Sequence, residues 1–274
     1  MIDERFIGRW AEHLVEVTPG ALAVLLKGSY ARGDAGPWSD LDFDVLVDDT
    51  EITAPYLTWF DRIGERIVHI SAAVDHLDTW LEDFDEPAEW AFGFAARPVT
   101  KLVWVARPSL AAELDRPWRN HPSGEPELED CIESLGKARN AMARGDDLSA
   151  RLALRDVGQL APSLLAPLNG DRFAATKPQA LKLAIELETS PPGYRDDVLA
   201  LLGFDGKAHS ATDLLVIGER LVSGILALMT EYIDTLDPLL APHLGTALRE
   251  GLIQAYLAQD PIPGQPASKS AEAD

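Results

Sequence analysis

Apolar residues near the start of the chain recur with the spacing of one helix face. Phe6, Ile7, Trp10, Leu14 and Val17 fall three or four apart and predict a helix over Glu4–Val17. A continuous apolar run at 21–26 has the character of a buried strand. At 41–47 the pattern changes to period two: Leu41, Phe43 and Val45 alternate with Asp40, Asp42 and Asp44, which is the repeat of a strand. Residues 54–65 predict a helix. Residues 66–74, rich in β-branched side chains, predict a third strand, 76–84 a short helix and 98–106 a fourth strand. Helices interleaved with strands give an α/β or α+β domain built on a small mixed sheet.

Beyond residue 126 the pattern is helical, with segments at 127–144, 148–168, 174–189, 194–202, 210–236 and 239–258. Pro178, Pro191, Pro192 and Pro238 stand near the proposed ends, where proline is tolerated. Six helices without a credible strand predict an all-α helical bundle. All seven tryptophans precede residue 119, and 116–126 is rich in proline and polar residues. The division expected is therefore a first domain over 1–115, a linker over 116–126, a helical domain over 127–259 and a disordered tail over 260–274. No internal repeat is present.

Composition changes this picture modestly. Of 274 residues 46% are hydrophobic, enough for a proper core. Lys and Arg number 24 against 45 Asp and Glu, a net charge of −21. Such a field repels phosphate backbones and argues against a nucleic-acid partner, while it is compatible with a cationic substrate. The single cysteine, Cys131, cannot form an internal disulfide and reads as a small core residue. The acidic, amphipathic N-terminus is unlike a secretory leader and no apolar run is long enough to span a membrane, so the expectation is a cytoplasmic protein with no membrane partner. A homodimer is left open.

Side chains two apart on a strand point the same way, so Asp40, Asp42 and Asp44 line one surface. Crowded carboxylates repel one another, and a divalent cation relieves that cost. Mg²⁺ favours hard oxygen ligands and is commonly held by one or two carboxylates plus nucleotide phosphates. The competing reading is an edge strand whose acids are merely solvated. Gly28-Ser29, entered by an apolar strand and left by a turn-rich decapeptide, weighs against it. Glycine permits close backbone approach, and the Ser hydroxyl with nearby N–H groups can hold phosphate oxygens.

The stretch GSYARGDAGPWSDLDFD, residues 28–44, resembles the signature of the DNA polymerase β-like nucleotidyltransferase superfamily, in the form carried by aminoglycoside and other small-molecule nucleotidyltransferases. LNGDRF at 168–173, the region of Lys177 and SPPGY at 190–194 are similar, more loosely, to the helical half of kanamycin-type enzymes. The resemblance implies a nucleotidyltransferase domain followed by a helical bundle, with the active site in the cleft between them. It implies Mg²⁺-dependent transfer of a nucleoside monophosphate, AMP from ATP, to a hydroxyl of a small molecule such as an aminoglycoside-like antibiotic. By the motif match Gly28 and Ser29 hold the triphosphate, Asp40 and Asp42 ligate Mg²⁺, and Arg32 braces the loop, touches phosphate or forms a structural salt bridge.

One departure stands out. Such enzymes take a third carboxylate from the next core strand, and here the matching place on 66–74 holds His69. Either His69 is the base, or Asp44 replaces the missing acid as a further metal ligand, or the base comes from the helical half, for example Glu133. Alternatively the chain only binds nucleotide as a regulatory module. A nucleotidyltransferase that modifies a protein, of toxin–antitoxin type, is a further rival. Lys137, Arg139 and Lys177 could reach the triphosphate but fit solvated surface better. Trp80, Trp90, Phe92 and Phe94 either line an acceptor cleft or pack an insertion. The acidic run at 82–86 reads as a solvated face.

Overall fold

A computed structural model of the chain describes residues 2–48, 51–85, 89–96, 99–115, 126–170 and 173–259. In chain order the first elements are α1 (Glu4–Val17), β1 (Ala21–Lys27), α2 (Gly28–Arg32), β2 (Leu41–Val47), β3 (Tyr56–Ile63), β4 (Arg66–His76) and α3 (Leu77–Asp85). There follow β5 (Glu89–Ala91), β6 (Phe94–Ala96), β7 (Lys101–Val105) and α4 (Pro108–Leu114). Helices α5 (Leu128–Ala143) and α6 (Asp147–Leu165), strand β8 (Phe173–Ala174), then α7 (Lys177–Ile185), α8 (Tyr194–Leu202), α9 (Ala211–Glu231), α10 (Ile233–Leu236), α11 (Pro242–Arg249) and α12 (Leu252–Leu257) complete the order. The chain divides into two compact units, 1–88 with 97–121, and 89–96 with 122–274.

The first unit is a five-stranded mixed sheet in the order β3-β4-β2-β1-β7, in which only the β2–β4 pairing is parallel. The predicted helix over Glu4–Val17 is present. Asp3 caps it by accepting the Phe6 N–H at 2.9 Å. Its apolar stripe of Phe6, Trp10 and Leu14 packs on Val24, Leu26, Leu41, Phe43, Val45 and Ile70, so one face of the sheet is covered. At one end of the opposite face Ala23, Leu25 and Leu46 meet Leu110 and Leu114 of α4 with Leu77, Trp80 and Leu81 of α3. The acids of β2 lie toward the other end of that face.

The helix expected over 54–65 is instead strand β3. It pairs antiparallel with β4 from Tyr56↔Ala73 to Ile63↔Arg66, leaving Gly64-Glu65 as a two-residue turn. Gly64, at φ 58°, supplies the conformation such a tight connection needs. Along β3 exposure alternates residue by residue, with Tyr56 and Phe60 on the open side.

The second unit is predominantly helical. Its core joins Leu135, Leu154, Val157, Leu221, Ile225 and Met229, with Cys131 fully buried among them. Burial first, then the nearby charges of Glu127 and Asp130, push the Cys131 thiol up to about 12, so it stays protonated and inert. Asp197, also buried, accepts the Arg220 Nε–H at 3.0 Å. The expectation of no strand is corrected: β8 joins β5 and β6 in a three-stranded sheet, order β5-β6-β8. A two-residue strand carries no periodicity for a sequence to display. The segment expected at 210–236 is α9 followed by α10, and that at 239–258 breaks at Gly251 into α11 and α12. Among the described residues the aromatics at 80–94 fall in two hydrophobic cores. Trp80 packs in the first unit, while Phe94 is in the helical core and Phe92 lies against it. The side chain of Trp90, most of the linker over 116–126 and the tail over 260–274 lie outside the described residues.

Candidate active site

Strand β1 ends at Lys27, and the chain turns at once into the short helix α2. Gly28, at the corner, has φ 70°. An added Cβ there would stand 2.7 Å from Asp42 Oδ2, so the absence of a side chain is what lets that carboxylate lie against the corner. Ser29 follows in the helix, and its carbonyl accepts the N–H groups of Gly33 and Asp34 at 2.9 and 3.1 Å. Arg32 is turned to Asp34, 3.2 Å away, on the exposed side of the loop. The loop returns to β2 through a bond from the Gly36 N–H to Ser39 Oγ at 2.9 Å, and the Ser39 carbonyl accepts Arg66 of β4 at 3.5 Å. These two ties fix the chain as it enters Asp40.

Register decides what surrounds each acid. Asp42 faces Lys27 across β1 and Ser71 across β4. The Ser71 hydroxyl donates to Asp42 Oδ1 at 2.6 Å. Burial pushes the Asp42 carboxyl above its ordinary range, and the charge of Asp40 adds to that push; the Ser71 hydrogen bond, Lys27 and His69 act in the other direction. Asp44 is more deeply buried and is paired with the Lys27 ammonium, 2.5 Å from its Oδ1. His69 lies beside Asp40, Nδ1 to Oδ2 3.6 Å, and its Nε2 is 2.9 Å from Thr58 Oγ1 of β3. The Phe60 ring lies against the His69 ring, centroids 5.0 Å apart.

The fold gathers Gly28, Asp40, Asp42 and His69 at one end of one sheet face. It does not gather all three aspartates as one ligand set: among the described residues no group of three or more His, Cys, Asp or Glu is placed to hold a metal ion. Glu133 is paired with Lys137 at 3.1 Å on α5, and Arg139 binds Glu219 and the Leu257 carbonyl within the helical unit. Two residues of the site were missed in the sequence, Lys27 and Ser71. The signal available was parity alone: Lys27 ends the strand that enters Gly28, and Ser71 stands two residues after His69.

Residues 14–89 match the family model described as a nucleotidyltransferase domain. Residues 127–229 match the model described as a nucleotidyltransferase substrate-binding domain. Among solved structures, a nucleotidyltransferase-like protein from Exiguobacterium sibiricum is similar at 12% identity, with a TM-score of 0.46, over 85% of this chain and 78% of that one. No curated protein matches the chain.

Proposed function

We propose, for a chain that belongs to the nucleotidyltransferases by both of its matched domains, that it transfers AMP from ATP to a hydroxyl of a small, cationic, polyhydroxylated molecule of the aminoglycoside kind. The observation that carries this reading is the seat of the Asp42 carboxylate against the bare Cα of Gly28. It joins the two halves of the motif, the phosphate corner and the acid strand, in one place. The donor set suits Mg²⁺: two carboxylates, Asp40 and Asp42, leave the remaining coordination positions to triphosphate oxygens and water. When bound there, Mg²⁺ would neutralise triphosphate charge and stabilise the pyrophosphate leaving group.

The chain's own residues do the rest. The Gly28 backbone and the Ser29 hydroxyl receive phosphate oxygens, and Arg32, held by Asp34, braces the loop between the corner and the acids. Ser71 fixes the rotamer of Asp42. In the tautomer whose Nε2–H donates to Thr58, the Nδ1 lone pair of His69 is free to take the proton of the acceptor hydroxyl, and Asp40 stabilises the imidazolium that forms. The reading of the acceptor is supported by the substrate-binding match over 127–229 and by the net charge of −21, which favours cations.

The test is pyrophosphate release from ATP over a panel of hydroxylated acceptors, with the product identified by mass. The expected outcome is turnover with aminoglycosides, lost in Asp42→Asn. Label transferred to protein alone would replace the small acceptor with a protein one, and ATP binding without turnover over the whole panel would refute the enzymatic reading.

A further inference from the structure

Lys27 is the cross-strand partner of Asp42, and its ammonium reaches diagonally to Asp44. Asp44 is 7% exposed and Lys27 half-buried, so this is not a solvated surface pair. On the other side of β2, the residues of β4 in register with Asp42 and Asp44 are Ser71 and Ala73, with His69 beside Asp40; none is a carboxylate. Lys27 is therefore the fixed cation beside Asp42 and Asp44, in direct contact with Asp44, and the facing residues of β4 add no carboxylate.

We propose that Lys27 is a positioning residue whose ammonium stands where a second metal ion would otherwise sit, so that the site takes one divalent cation, at Asp40 and Asp42, per bound triphosphate. The inference rests on the nucleotidyltransferase reading and deepens it. With Ser71 and Ala73 facing β2 from β4, the further carboxylate open to a second ion is that of Asp44. Such an ion would have to displace the ammonium from a buried carboxylate and give up a direct charge pair already in place. An ammonium has three donors. With one on Asp44, two remain for phosphate oxygens arriving at the adjacent Gly28-Ser29 corner.

The experiment counts Mn²⁺ bound to the full chain by electron paramagnetic resonance, in the presence of the non-hydrolysable analogue α,β-methylene-ATP. The expected result for the wild type is one Mn²⁺ per bound nucleotide with no Mn–Mn coupling. Lys27→Met should bind two, with coupling between them, because Asp44 is released; Lys27→Arg should bind one. Two ions in the wild type, or one in a folded Lys27→Met that still binds nucleotide, overturns the proposal and leaves the nucleotidyltransferase reading intact. Nucleotide bound with no Mn²⁺, or no nucleotide bound, overturns both. Should Lys27→Met not fold, the wild-type count decides alone.

Discussion

Gly28 sets how closely the acid pair stands to the turn of the chain. At φ 70° any other residue is strained, and its Cβ would meet Asp42 Oδ2 at 2.7 Å. Gly28→Ala is expected to cost about 1–2 kcal/mol of stability from the left-handed backbone. It should lower turnover by roughly 100-fold through displacement of the carboxylate. Urea denaturation and pyrophosphate release measure the two. Asp42 itself illustrates a conflict between stability and function. Its carboxyl is raised in the fold, above all by burial. A group so raised contributes stability that is full below its unfolded value and lost as pH rises through the folded one, so at neutral pH the ionised Asp42 weighs against the metal-free fold. Asp42→Asn should therefore raise the Tm at pH 7 without divalent cation, the gain shrinking in acid where the wild-type carboxyl is also neutral. Added Mg²⁺ should raise the wild-type Tm and leave that of the variant unchanged. A lower Tm for metal-free Asp42→Asn at pH 7 would refute this account. At this scale the sequence was informative wherever parity sufficed: the shared side of Asp40 and Asp42 follows from spacing two. For Lys27 and Ser71 parity was not enough, because their closeness to Asp42 comes from cross-strand register, which hydrogen bonding between distant segments sets.

Elements were legible where the apolar pattern had one clear period. Helix α1 and strands β1, β2 and β4 fall where their patterns placed them, within two residues. Strand β3 was not, because Tyr56 and Phe60 are large apolar residues on its open side. With apolar groups on both faces, period two is hidden and a helix fits as well. The turn at Gly64 was the better signal. Packing between helices gives a sharper test than their boundaries. Gly158 of α6 would place an added Cβ 2.9 Å from Leu201 Cβ of α8, an atom fixed to the backbone and unable to swing aside. An alanine there gains about 1 kcal/mol of helix propensity and loses roughly 1–3 kcal/mol to overpacking. Gly158→Ala is thus expected to lower the Tm. Gly8 of α1 has nothing within 4 Å of the same added atom, so Gly8→Ala should stabilise by about 0.5–1 kcal/mol. Opposite signs in the two thermal melts would confirm that close approach of α6 to α8, and not propensity, dictates the glycine at 158.

Charge acts on the whole molecule. A net charge of −21 on 274 residues repels itself and favours the expanded chain. Raising NaCl from about 10 mM to about 150 mM shortens the screening length from roughly 30 Å to roughly 8 Å. The fold should gain stability over that range, seen as a rising Tm. On the proposed function the same field draws a polycationic acceptor inward, and the same salt weakens that attraction. The KM for an aminoglycoside is therefore expected to rise with ionic strength while kcat holds, because long-range attraction acts on encounter and not on the reacting atoms. A neutral polyhydroxylated acceptor of similar size should show a flat KM. Steady-state kinetics across the salt series, run beside the thermal melts, separate the two effects, since stability improves as capture declines. Equal salt dependence for charged and neutral acceptors would remove the field as a determinant of substrate and leave the choice to local contacts at the acceptor site.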